Sequence, residues 1–362
     1  MIQCNVAVSG LNVADDPAPG IAVIRSIRES GQWEGKIIGL AYDALDTGIY
    51  DERLLDEVYL LPYPFDGFAL LQRLRDITQK TRIDVLVPLL DLELLNLPSL
   101  EPSLKEIGIS LLLPPISKVR MHFKLKLAEF CQSNEIKYPK QIAVTSLDTI
   151  APNITELGTP VVIKGVIHES HLAFSAEEAL IYFNRIKMRW GLPVIMQEYI
   201  QGEEYNTDCL TDRKGKLIGA VAMRKLGVSD KGKAWSGATV NDEELLNLSQ
   251  DILRKLNWVG PVELEFIKQQ SSGDYYLLEI NPRFGTWIYL AANAGQNLPL
   301  ATIQIAMGEK VEPFPPYETG LMFIRYSLDL ICPMEHLASL ITEGELVMHR
   351  EKKELAHHAR RK

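Results

Sequence analysis

The sequence is short of the features that assign a chain at sight, and each shortage removes a class of function. Only four of its 362 residues are cysteine (Cys4, Cys131, Cys209 and Cys332), widely separated and without a C-x-x-C spacing. That argues against a zinc site and a disulfide framework and suits a reducing, cytoplasmic setting. No stretch approaches the roughly 18 consecutive apolar residues of a membrane helix. The opening MIQCNVAVSG also has no basic start before a long apolar run, so neither a span nor a secretory leader is expected. Lysine and arginine form no run outside the terminal ARRK, and the net charge is -9 with a pI near 5.4, which speaks against a nucleic-acid footprint. There is no G-x-G-x-x-G. The segment that could carry one, SGLNVADDPAPG (9–20), is too long and proline-rich for a dinucleotide fingerprint. Internal repeats and low-complexity tracts are also lacking.

What the chain does have is an ordinary globular balance, 46% hydrophobic and 23% charged, enough for a large core and, at this length, two or three domains. The first hundred or so residues alternate two patterns. CNVAVSG (4–10), KIIGLAY (36–42) and IDVLVPLL (83–90) read as buried strands, and PGIAVIRSIRES (19–30) has helical spacing. Strands separated by helices imply a parallel sheet with crossovers. After residue 116 the order changes. SKVRMHFKLKLAEFCQSNEI (117–136) reads as one helix with apolar positions at Val119, Phe123, Leu127 and Phe130. TPVVIKG (159–165) and LPVIMQEYI (192–200) read as strands around a helix at 175–186, which Ser175 and Glu178 would open as a capping box. EYNTDCLTD, LIGAVAM, PVELEFI and YYLLEIN are further strands, with a helix at 242–257. From Glu335 the chain is charged without a clear apolar period, as expected of a fraying end or an accessory helix.

The chemistry concentrates in LLEINPRFGTW (277–287). Strand residues two apart share a face, so Glu279 and Asn281 would project together while Leu278 and Ile280 enter a core. Pro282 has no N–H to continue a ladder, which delivers Arg283 just past the strand end. In GPVELEFIK, Glu263 and Glu265 share one face and Val262, Leu264 and Phe266 the other. KQQSSGD joins the two strands as a hairpin, with Gly273 available for positive φ. Glu265, Glu279 and Asn281 would then share one wall. Oxygen ligands without histidine or cysteine select a hard cation, magnesium first and manganese as the alternative, completed by substrate phosphates.

Taken together, PVVIKG, VIMQEYIQGEEYNTDCLTD, GPVELEF and LLEINPRFG resemble an ATP-grasp enzyme, the superfamily of carboxylate–amine ligases, biotin carboxylase and carbamoyl phosphate synthetase. The resemblance covers about residues 116–310. It implies an α/β protein: an N-terminal parallel α/β domain over 1–115, then a two-lobed α+β ATP-grasp module with a small lobe or lid at 116–195 and a metal-bearing lobe at 196–335, and a charged tail at 336–362. It also implies that Lys124 and Lys164 hold nucleotide phosphates. Gln197, Glu198, Tyr199 and Ile200 would form the adenine hinge, with Glu204 on the ribose hydroxyls and Glu265, Glu279 and Asn281 on the metal. Arg283, with Arg224 and Lys225 from AMRKLGVSDKGKAW, would face the transferred phosphate or the acceptor carboxylate. Phe123 stands where relatives carry aspartate, and GVIHESHLAFS has one glycine where relatives carry a glycine-rich loop. His168, Glu169, Ser170 and His171 would either bond phosphate or substrate directly or form a polar lid. Arg325, alone in the apolar LMFIRYS, calls for a partner acid or a substrate anion.

The implied activity is an ATP-dependent, ADP-forming carboxylate–amine ligase. Small-molecule or peptide carboxylates and amines would be its substrates, ATP with magnesium its cofactors, and a homodimer its compatible assembly, with no nucleic-acid or membrane partner. Bicarbonate activation and ATP binding without turnover are the alternatives. The stretch 165–190 would close over ATP, and Glu279→Gln would leave stability unchanged or raised, because clustered acids repel when no metal is bound.

Overall fold

The computed structural model describes residues 1–14, 17–166, 169–229 and 232–348. Its first part is a parallel sheet of β1 (Val6–Val8), β2 (Ile37–Ala41), β3 (Glu57–Leu60) and β4 (Val85–Val87), ordered β3-β2-β1-β4. Short apolar runs such as VAV, IIGLA and VLV suit strands covered on both faces. α1 (Gly20–Arg28) packs on one face, and α2 (Gly67–Lys80) lies on the other with α4 (Leu97–Glu106). Gly20 is required at the start of α1, because a Cβ there would fall 2.4 Å from the Ser9 and Gly10 carbonyl oxygens. The strand order reverses between β1 and β4, so a crevice opens at their carboxyl ends. The short α3 (Asp91–Leu94) begins there. Below it, the Glu93 carboxylate is buried and accepts hydrogen bonds from Ser9 Oγ (2.5 Å) and the Tyr42 hydroxyl (2.7 Å).

The helix expected over 117–136 is broken. α5 (Ile116–Val119) and a 3-10 turn at 120–122 end at Phe123, whose φ of -72° and ψ of 121° are extended, and α6 (Lys124–Ser133) starts afresh. The break places Lys124 in the first helical turn, with its side chain directed to Glu279 rather than along a helix flank. A four-stranded antiparallel sheet follows, ordered β5-β8-β6-β7: β5 (Gln141–Val144), β6 (Val161–Lys164), β7 (Ser170–Ala173) and β8 (Val194–Glu198). α7 (Ile150–Leu157) and α8 (Ala176–Trp190) cover it, and Val161, Ile163, Phe183, Ile186, Val194 and Met196 form a core of its own. Ser175 caps α8 as expected, but Glu178 reaches back to the Phe174 N–H (2.8 Å) rather than to that of Ser175.

The largest layer is an antiparallel sheet ordered β13-β12-β9-β10-β11-β14. Its strands are β9 (Gly202–Thr211), β10 (Leu217–Val228), β11 (Ala234–Thr239), β12 (Gly260–Gln269), β13 (Tyr275–Asn281) and β14 (Met322–Ile324). α9 (Glu243–Leu256) is started by the Asp242 carboxylate on the Leu245 N–H and closed by Asn257 in the left-handed region. With α6 it covers Tyr205, Val262, Leu264, Phe266 and Ile280. α10 (Ile288–Asn293) and α11 (Leu298–Ala306) share a core with α1 and the parallel sheet through Val6, Val23, Ile27, Ile288 and Ile303. The end of the chain is more ordered than its composition suggested. α12 (Met334–Glu343) leads into β15 (Glu345–Val347), which pairs antiparallel with β3, and residues 349–362 lie outside the description. All four cysteines are unbridged. Among the described residues no helix is long and apolar enough to cross a membrane.

One register detail corrects the reading of β13. Glu265 lies opposite Glu279, but Phe266 lies opposite Leu277, so a bulge skips Leu278. Leu277 and Ile280 therefore enter the core, and Leu278 is only half-buried. The extra residue shifts the alternation so that Tyr275 and Leu277 point to the core while Glu279 and Asn281 still point away from it. Leu277→Ala should cost about 2–4 kcal/mol of unfolding free energy, and Leu278→Ala less than half of that. Equal losses in denaturant melts would contradict the bulge.

Candidate active site

The sheet face opposite α9 is built from polar residues at two-residue spacing on neighbouring strands. β12 places Glu263 opposite Asn281 and Glu265 opposite Glu279. β9 adds Asp208 opposite Glu263 and Asn206 opposite Glu265. Asn281 Nδ2 donates to Glu263 Oε2 (3.1 Å) and Glu265 Oε1 (2.9 Å), which fixes the amide and directs its oxygen away from those acids. Glu265, Glu279 and Asn281, expected on one wall, are brought together on adjacent strands.

Three lysines reach this face from different parts of the chain. Lys124, 8% exposed, pairs with Glu279 at 3.2 Å. Lys225 donates to Glu204 Oε2 (2.7 Å) and Glu265 Oε2 (3.1 Å), and those carboxylates hold it above the ordinary lysine range despite burial. Lys164 comes from the small lobe. Burial lowers its ammonium, and the nearby charge of Lys124 adds to this, against the opposing pull of Glu279, Glu265 and Glu204. Burial alone would raise the Glu279 carboxyl, but Lys124, Lys164 and His122 bring it down to about 2. Buried acids of one sign persist because cations compensate them.

Arg283 ties this face to the parallel domain. Its Nε donates to Asp91 Oδ1 (3.1 Å), its Nη1 to the Phe284 carbonyl (3.1 Å), and Nη1 lies 3.6 Å from Glu263 Oε2. Asp91 is half-buried, and against the upward push of that burial Arg283, His122 and Lys233 hold its carboxyl below the ordinary range. Glu263 also accepts from Asn206 Nδ2 (2.6 Å) and Trp287 Nε1 (2.9 Å). Asp208 accepts from the Gly285 N–H (2.8 Å). Burial, together with the neighbouring charge of Glu265 for Glu263 and of Glu263 for Asp208, pushes both carboxyls up. Asp91, His122, Asn206 and Asp208 were not anticipated. The polar alternation Glu204, Asn206, Asp208 was the available signal for two of them. Nothing local marks Asp91, whose role depends on a residue 192 positions away.

Of the other expected residues, Arg224 is placed differently. Expected beside the transferred phosphate, it lies on the face opposite to Lys225 and pairs with Glu203 at 3.2 Å. Successive strand residues alternate sides, and Lys225 takes the inner one. Gln197 is buried inside β8, and Glu198 is engaged at both ends with Lys140: its N–H donates to the Lys140 carbonyl (2.9 Å) and its carboxylate accepts from the Lys140 N–H (2.9 Å). Tyr199 and Ile200 lie beyond the last strand pair, Glu198 with Val161. Glu169, at φ 72°, accepts from His171 Nε2 (2.8 Å) and Trp190 Nε1 (2.8 Å) and pairs with Arg185 at 3.0 Å, which ties the loop after β6 to α8. His168 lies outside the described residues.

The donor set fits a magnesium ion. It offers two carboxylates and an amide oxygen, now neutralised by lysine ammonium groups. Among the described residues no three His, Cys, Asp or Glu side chains converge as a self-sufficient metal site.

Comparison with known proteins agrees with this architecture. Residues 192–326 match the family described as ATP-grasp in the biosynthetic pathway with Ter operon. The carbamoyl phosphate synthase large chain of Thermoanaerobacter pseudethanolicus is 24% identical over 209 residues, which is 54% of this chain and 19% of that protein. The match thus spans about a fifth of that relative's length. The biotin carboxylase domain of Hydrogenobacter thermophilus 2-oxoglutarate carboxylase, solved with ADP, magnesium and bicarbonate, superposes with a TM-score of 0.65 at 16% identity, over 85% of this chain and 70% of that one. L-amino acid ligase from Bacillus licheniformis gives 0.64 at 17%, over 85% and 75%. The fold is the ATP-grasp fold.

The Lys124–Glu279 pair changes the expectation for Glu279→Gln. Removing the carboxylate takes a counter-charge away from the buried Lys124 ammonium, so the variant should lose about 2 kcal/mol near neutral pH rather than gain stability. The Glu279 carboxyl is lowered from 4.5 to about 2. Its contribution is therefore present above pH 4.5 and fades as pH falls toward 2. Denaturant melts of wild type and variant should converge at acid pH, and coincident melts near neutral pH would contradict the pairing.

Proposed function

We propose that the protein is an ATP-dependent carboxylate–amine ligase that releases ADP. The observation that carries this reading is the paired wall of Glu265, Glu279 and Asn281 faced by Lys124, Lys164 and Lys225. A ring of hard oxygen ligands beside several cations suits the binding of metal with polyphosphate. Lys124 and Lys164 hold the phosphates, Glu204 the ribose hydroxyls, and Tyr199 with Ile200 the adenine edge. Lys225 compensates Glu204 and Glu265 until nucleotide and metal engage those acids, after which its ammonium is available to phosphate. Magnesium, when bound, neutralises charge on the phosphate oxygens.

The substrate carboxylate is already ionised near neutral pH, so the first step needs no general base. Its oxygen attacks the γ-phosphorus, the bond to the β–γ bridging oxygen breaks, and ADP leaves. Arg283, held by Asp91, presents a fixed guanidinium to the charge that spreads over the phosphoryl oxygens, since this chemistry depends on positioning and charge neutralisation. An amine nitrogen then attacks the acyl carbon of the acyl phosphate, inorganic phosphate departs, and a proton is lost to solvent. The amine and the carboxylate are free small molecules or peptides. Bicarbonate in place of the organic acid is a second reading, supported by the bicarbonate found in the 2-oxoglutarate carboxylase domain.

Crossing a panel of carboxylates, bicarbonate included, with amines should yield phosphate and ADP for at least one pair. AMP with pyrophosphate would contradict the acyl-phosphate route. With that pair at saturating magnesium, Glu279→Gln should lower kcat roughly a hundred- to a thousandfold, and near-wild-type turnover would contradict the metal assignment.

A further inference from the structure

The large sheet ends differently at its two edges. Along β13 the edge is covered: the Leu277 N–H donates to the Lys137 carbonyl at 2.9 Å, and His122 Nδ1 lies 3.4 Å from the Ile280 carbonyl oxygen. At the other edge β14 pairs with β11 alone, Met322, Phe323 and Ile324 lying opposite Ala238, Gly237 and Ser236. The Arg325 N–H donates to the Trp235 carbonyl (2.8 Å), and the Leu321 carbonyl accepts from the Thr239 N–H (2.8 Å). In an antiparallel pair alternate residues bond inward, so the backbone groups of Met322 and Ile324 turn outward. Among the described residues nothing bonds to those outward groups.

Open edges are commonly blunted by lysine or proline. The run from β14 onward, MFIRYSLDLI (322–331), carries neither. Instead Ile324, Tyr326, Leu328 and Ile331 are 64%, 74%, 75% and 88% exposed, a contiguous apolar row of the kind that marks a contact surface.

The run is complementary to itself. Set antiparallel to an identical run about a two-fold axis at Ser327, Tyr326 faces Leu328, Ile324 faces Leu330 and Arg325 faces Asp329, and the axis makes each pair twice. Apolar residues meet on the exposed face, opposite charges meet on the other, and no like charges are opposed. The backbone agrees with this register, because it bonds even-numbered residues to even-numbered ones, the parity that Met322 and Ile324 present outward. A shift by one residue would set Ile324 against Asp329 and turn the bonding groups of one run away from the other.

We propose that β14 and the chain that follows it are the interface with a second copy of this chain, paired antiparallel about Ser327 so that two large sheets join edge to edge. The pairing is independent of the nucleotide site and of the ligase reading.

The test uses the full chain. Sedimentation at about 100 µM should show a dimer that dissociates on dilution. Ile324→Lys and Tyr326→Lys each place a charge in the apolar row and should weaken dimerisation roughly tenfold or more, while melts at a dilution where the wild type is monomeric stay unchanged, since both side chains are exposed. Residues opposed at the axis have Cα atoms about 4.5 Å apart, within disulfide range. Ser327→Cys should therefore cross-link on mild oxidation beyond the level of the wild-type chain, and Leu328→Cys, which faces Tyr326, should not. A chain that stays monomeric overturns the proposal and leaves the edge to residues 349–362 or to a different protein. A dimer that neither lysine variant weakens, or in which Ser327→Cys does not cross-link, overturns it as well.

Discussion

Everything else in the structure is arranged around the compensation of acidic groups on one sheet face. Glu204, Glu263, Glu265 and Glu279 lie close together on three neighbouring strands, and the cations that balance them come from elsewhere: Lys124 from α6, Lys164 from the small lobe, Lys225 from β10, and Arg283 from the turn after β13. Like charges this close would disrupt a folded sheet without such partners. In the proposed ligase, a divalent ion and polyphosphate replace these ammonium and carboxylate contacts without leaving a buried charge uncompensated.

The three parts of the chain contribute differently. The small lobe has its own core, separate from the rest, and meets the site through Lys164 at the end of β6. The parallel domain is continuous with the large sheet through the core beneath α1, α10 and α11. It sends Asp91 to Arg283 from a buried support in which Glu93 is bonded to Ser9 and Tyr42. That contact lets the parallel sheet fix the position of the Arg283 guanidinium.

Much of the site was legible in the sequence because strand alternation is a strong local rule. E-x-E and E-x-N placed Glu265, Glu279 and Asn281 together from spacing alone, and the hairpin between them needed only Gly273, whose φ is 78°. The rest depended on information that spacing does not carry. The bulge at Leu278 altered the core side of β13 while preserving the site side, so the polar assignment survived an incorrect apolar one. Arg224 and Lys225 are adjacent and both basic, and only the strand register decides which faces the acids. The break at Phe123 directs Lys124 inward, although the apolar period runs through it unbroken. Asp91 and His122 enter through contacts across the chain.

The central claim is that Glu265, Glu279 and Asn281 form a magnesium site that acts together with nucleotide phosphates. Its most direct test is the affinity of the full chain for ADP, measured by titration calorimetry with magnesium and then with a chelator. The account predicts that magnesium tightens ADP binding by roughly tenfold or more and that a Glu265→Gln, Glu279→Gln double variant loses this dependence. ADP affinity that is the same with and without magnesium in the wild-type chain, or no ADP binding at all, would contradict it.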